Sequence, residues 1–243
     1  MSVEVEPVRL AKRLIALTGC SRADAEQYIK GGWVTVDGEP VENPAHPVTN
    51  ETLVLDPAAR QEASEPATIL LHKPAGYDAI SGARPAAALV DPSSRWADDP
   101  SGVRLLQRHF HRLTPLMPLD AEASGLLVFT QDGRVWRRLS EDRDDIEQEF
   151  VVEVGGEIGP WGLAKLQHGL SYGGRALPPC KVSWQNEIRL RFAIKGVQGG
   201  QLRDMCAQVG LDVVAIRRIR IGRIALAKMP EGAWRYLPVG ERF

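Results

Sequence analysis

Asp120 and Glu122 stand two residues apart in LMPLDAEASGLLVFTQDG, residues 116–133, just before a run of apolar and small residues that reads as a buried strand. An ionised carboxylate at the mouth of such a strand is costly unless it is paired or hydrogen-bonded, because desolvating a lone charge is expensive. Two partners are open: backbone amides of the turn that follows, up to Gly125, or an arginine carried in from far along the chain. Paired acids also serve glycoside hydrolysis, but two carboxylates this close in one loop are poorly placed to flank a sugar ring. In HFH, His109 and His111 would point to one side of an extended segment, yet no acid or cysteine lies at ligand spacing and no metal is expected. Gly199 and Gly200 lack the strand-Gly-x-Gly-helix context of a phosphate loop.

The elements that position these residues fall into two groups. In RLAKRLIALTGC, Leu10, Leu14, Ile15 and Leu17 recur at helical spacing and leave Arg9, Lys12 and Arg13 outward. Ser21 caps a second helix with Ala25, Tyr28 and Ile29 on its inner face, and Gly31-Gly32 ends it. WVTVDGEPV alternates around Asp37-Gly38, a hairpin signal. The stretch DPAARQEASEPAT then has no apolar period and reads as a linker. Beyond it TILLHKPAGY, SGLLVFT, EFVVEVGGEI, EIRLRFAIKG and DVVAIRRIRIGRIAL read as strands, QLRDMCAQVG as a short helix, and SGARPAAALVDPSSRWADDPSG as an irregular loop.

Composition bounds the function. At 243 residues, 44% hydrophobic and 25% charged, the chain can bury a core without staples. Cys20, Cys180 and Cys206 show no close spacing, which speaks against a disulfide framework or zinc ribbon. The N-terminal stretch reads as neither leader nor membrane span, so a cytoplasmic protein is expected. Net charge is −1, but the cations are clustered. Arg9, Lys12, Arg13, Arg22 and Lys30 face only Asp24 and Glu26, and eight cations from Arg189 to Arg223 face only Asp204 and Asp212. Such patches on a neutral protein suit selective docking on RNA better than indiscriminate binding of polyanions.

Two resemblances sharpen this reading. The helix-helix-hairpin of the first fifty or so residues, carried by RLAKRL, SRADAEQYI and GGWVTVDGEPV, resembles the S-four-like RNA-binding domain. PLDAEASGLLVFTQDG resembles the central motif of the RsuA-like pseudouridine synthases, with LHKPAGY, IEQEFVVEV, QLRDM and IRRIRIGRIALAKMPEGAWRYL following in that family's order. The resemblance implies an α+β chain: an S-four-like domain at 1–60, a linker at 61–67, and a catalytic domain at 68–243 with a mainly antiparallel central sheet flanked by helices and loops. It implies an isomerase that turns a uridine of structured RNA into pseudouridine without a cofactor. Ribosomal RNA is the expected substrate, that of the large subunit (23S) first, with small-subunit RNA or a tRNA next; a monomer without a membrane partner is expected.

By the same resemblance Asp120 is the essential carboxylate, either nucleophile at the anomeric carbon or base at its neighbour. Arg203 is the guanidinium that pairs with it, and Phe150 the ring on which the target base stacks. Arg9, Lys12, Arg13, Ser21, Arg22, Lys30 and Lys73 are the expected RNA contacts. The chain departs from the family around the site: Pro118 stands where an arginine is usual, Gln148 and Phe150 where lysine and tyrosine are, and GVQGG lacks its basic residues. These departures keep a non-catalytic RNA-binding paralogue, acting in ribosome assembly, as the alternative. The catalytic reading leans on a buried Asp120–Arg203 pair.

Overall fold

The computed structural model describes residues 6–60 and 66–243, so most of the expected linker, 61–65, lies outside the described residues. Two compact units are present, Met1–Pro66 with Arg104–His111, and Ala67–Val103 with Arg112–Phe243.

In the first unit, helix α1 (Leu10–Thr18) and helix α2 (Arg22–Lys30) pack on a three-stranded antiparallel sheet of Glu39–Pro40, Val34–Val36 and Leu53–Leu55. Their core is Leu10, Leu14, Ala25, Ile29, Val34, Val36 and Val48, while Leu17, expected inside, is 58% exposed. The N–H of Asp24 donates to Ser21 Oγ at 3.1 Å, and Asp24 closes the reciprocal half of a capping box. The hairpin turn forms because Asp37 and Gly38 both take left-handed torsions, φ 50° and 90°. Residues 104–111 fold with this unit although they lie beyond 68 in the chain. Arg104 stacks over Trp33 at 4.2 Å and pairs with Asp56 at 3.1 Å, and Glu42 accepts from the N–H groups of Gln107 and Arg108.

The second unit is built on one sheet in the order Lys181–Asn186, Arg189–Ile194, Gln148–Gly156, Leu211–Ile221, Ser124–Thr130, Thr68–Lys73, Trp234–Tyr236, with two short strands off this path. All pairings are antiparallel except that of Leu211–Ile221 with Ser124–Thr130. With helices α3 (Gly133–Ser140), α4 (Gly162–Gln167) and α5 (Gln201–Ala207), this is the expected α+β arrangement. Strand alternation sends Phe150, Val152 and Val154 into one core with Leu190, Phe192 and Ile194, closed by Leu202 and Met205 of α5. Leu126, Val128 and Ile221 enter another with Leu139 of α3. The parallel pair comes close at Gly125, where a Cβ would sit 2.3 Å from the carbonyl oxygen of Arg218, so no larger residue fits.

Candidate active site

Asp120 opens a turn closed by the N–H of Ala123 donating to its carbonyl at 3.0 Å. The residues on either side of the turn, Leu119 and Ala123, are buried in the core that holds Phe150, so the turn is anchored by its flanks while the Asp120 side chain is exposed. The partner of that carboxylate is neither of the two the sequence offered. The N–H of Gly200, at the head of α5, donates to Asp120 Oδ2 at 2.9 Å.

Arg203 is delivered by α5 to the same turn, but its guanidinium donates to Glu122 at 3.2 Å and to the carbonyl of Val213 at 3.0 Å. The expected buried Asp120–Arg203 pair is therefore not formed, and the catalytic reading loses the support it leaned on. The physical reason is exposure: Asp120 keeps its water and carries little of the desolvation penalty that argued for a guanidinium.

Two buried cations hold the turn from beneath. Lys73 is fully buried, and its ammonium donates to the carbonyls of Pro74 at 3.0 Å, Tyr77 at 2.7 Å and Ala121 at 3.0 Å. Burial pushes its pKa down to about 8, with Asp78 and Asp120 opposing the shift and Arg218 adding to it. Lys73 thus cannot be the RNA contact expected of it; all three of its protons are spent on main-chain oxygens. Arg218, 1% exposed, donates to the carbonyls of Met117 at 2.6 Å and Leu126 at 2.7 Å and to Gln148 Oε1 at 2.9 Å. Desolvation lowers its pKa to about 9, which leaves it charged at neutral pH. Gln148, an acceptor, is matched to this donor where a lysine would repel it.

Arg218 was not singled out from sequence, yet its signal was there. It shares strand parity with buried Ile216 and so points inward. Phe150 is 2% exposed, its ring enclosed by the core beside Leu119 and Ala123. A base has no open face to stack on, which corrects that expectation. His109 is buried and His111 exposed, so the two do not point to one side as expected. Among the described residues no group of three His, Cys, Asp or Glu could hold a metal ion.

On the first unit Arg9, just before α1, and Lys12 of that helix are exposed, and Arg13 is half-buried. Ser21 is occupied as the α2 cap, and Arg22 and Lys30 both pair with Glu26, at 3.0 and 3.6 Å.

The class these features define is that of an S4-bearing chain with a pseudouridine synthase fold. An S4 domain is matched over residues 8–54. Over its length the chain is similar to named pseudouridine synthases. It is 28% identical to the dual-specificity RNA pseudouridine synthase RluF of Escherichia coli (strain K12), covering 95% of this chain and 75% of that one. It is also 28% identical to ribosomal small subunit pseudouridine synthase A of Salmonella typhimurium, covering 90% and 91%. The fold matches a crystal structure of a pseudouridylate synthase with a TM-score of 0.60 at 20% identity, covering 95% of this chain and 96% of that one.

Proposed function

We propose that this protein isomerises a uridine of ribosomal RNA to pseudouridine, with Asp120 as the reacting carboxylate. The N-glycosidic bond breaks, the base turns and its carbon 5 bonds to the anomeric carbon; carbon 5 then loses its proton while the nitrogen freed by the cleavage takes one up, so atoms balance without a cofactor. Asp120 either attacks the anomeric carbon or removes the proton beside it. The observation that carries the reading is the exposed Asp120 carboxylate: only Oδ2 has a hydrogen-bond partner among the described residues, so Oδ1 is available to substrate. Arg218 and Lys73 hold the main chain on both sides of it, which supplies the fixed aim that catalysis requires. Arg9, Lys12 and Arg13 give the S4 unit its affinity for phosphates.

The 23S RNA is the first substrate to test. The name of the Salmonella relative speaks for small-subunit RNA, which is tested beside it, and tRNA completes the set. The test is site-resolved pseudouridine mapping of total RNA from cells with the gene, without it, and with Asp120→Asn. One uridine should be modified only in the first.

A second reading is favoured by the engagement of Arg203 with Glu122 and the enclosure of Phe150: a chain that docks on RNA without modifying it, acting in ribosome assembly. Identical pseudouridine maps in all three strains would decide for it.

A further inference from the structure

We propose that Tyr172 is a positioning residue for the Asp120 carboxylate, acting through the single peptide unit that joins Gly199 to Gly200; this rests on Asp120 being the reacting group. The Tyr172 hydroxyl donates to the carbonyl of Gly199 at 2.6 Å, and the N–H of Gly200 donates to Asp120 Oδ2 at 2.9 Å. That carbonyl and that N–H are the two ends of one amide. A donor on its oxygen draws electron density toward the oxygen and strengthens the N–H as a donor, so the two bonds reinforce each other.

The two glycines let the amide lie there. A Cβ on Gly199 would be 2.9 Å from Asp120 Oδ1, and one on Gly200, where φ is 74°, would be 3.0 Å from the Tyr172 oxygen. Both sides of the peptide are thus in contact with the groups it links. Tyr172 is itself held. It lies in the hairpin of Ser171–Tyr172 with Arg175–Ala176, turned by Gly173 and Gly174 at φ 56° and 76°. At the far end of α5, Gln208 Nε2 donates to the carbonyl of Ser171 at 2.8 Å and to Asp204 at 2.6 Å. The hairpin is therefore tied to α5 at both ends, and hairpin, helix head and Asp120 form one assembly. With Arg203 turned to Glu122, Gly200 is the only hydrogen-bond donor to the Asp120 side chain among the described residues. Whatever sharpens that one N–H governs how the carboxylate is aimed.

Tyr172→Phe removes the hydroxyl and keeps the ring. The full-length protein, labelled with 15N-glycine, is compared as wild type, Tyr172→Phe and Asp120→Asn, with thermal melts to verify that all three fold. The Gly200 amide proton should move upfield in Tyr172→Phe, toward its position in Asp120→Asn. On an RNA that the wild type modifies, kcat should fall about tenfold with KM unchanged, the loss of one hydrogen bond's aim. An unmoved Gly200 amide, an unchanged kcat, or an effect confined to KM each overturns the proposal. Should the wild type modify no RNA, the proposed function fails, and the amide comparison alone still decides whether Tyr172 controls the contact to Asp120.

Discussion

The guanidinium of Arg203 stops at Glu122, 3.2 Å away, two residues past Asp120 in the same turn. The side chains of this pair are 45% and 78% exposed, so it carries roughly 0–1 kcal/mol of stability and is a loose clasp, not a structural bond. Its consequence is chemical: the Asp120 carboxylate meets solvent and one N–H instead of a fixed cation.

Glu122→Gln should therefore shift the folding free energy by less than about 1 kcal/mol. It also frees Arg203 to approach Asp120, so pseudouridine formation should be retained or rise. Urea denaturation and single-turnover assays check both; a loss of activity beyond about tenfold would mean that Glu122 itself serves the reaction.

Gly199→Ala places a methyl group 2.9 Å from Asp120 Oδ1 and must turn the carboxylate aside. Activity should fall about tenfold or more while stability changes little, since Gly199 has an ordinary backbone torsion and lies in an exposed turn. Wild-type kcat in this variant would argue against a fixed Asp120 orientation.

Lys73→Met leaves the carbonyls of Pro74 and Tyr77 without the ammonium and reduces Ala121 to its bond from Gly76. About 3 kcal/mol of stability should be lost, and activity with it, because the Asp120 turn loses an anchor. The pH dependence has a definite sign. Burial lowers the folded pKa of Lys73 to about 8 from its ordinary 10.5. Between these values the unfolded chain binds the proton more readily, so this group makes the wild type more stable as pH rises from 8 toward 10.5. Below 8 both states are protonated and the slope vanishes. Denaturation curves across this window should show that component in the wild type and not in Lys73→Met.

Replacing Arg9, Lys12 and Arg13 together with Gln should weaken RNA binding and flatten its salt dependence by about two in the log–log slope. Filter binding over a series of KCl concentrations measures it. An unchanged slope would remove the α1 face from the RNA contact.

Much of the local structure was legible because its causes are local. Ser21 with Asp24, Asp37 with Gly38, and the parity of Phe150, Val152 and Val154 each follow from torsions or spacing within a few residues. The burial of Lys73 was hidden because a cation at a strand end reads as a surface group until three carbonyls converge on it. The assignment of residues 104–111 to the first unit depends on Trp33, Asp56 and Glu42, distant in sequence.

The sequence by itself determined that α5 and the Asp120 turn exist and that a carboxylate stands at the mouth of a buried strand. Only the tertiary structure decided what meets that carboxylate. The donor is a main-chain N–H 80 residues away. Every residue but proline carries one, so no residue type marks it, and only the path of the chain brings it into place.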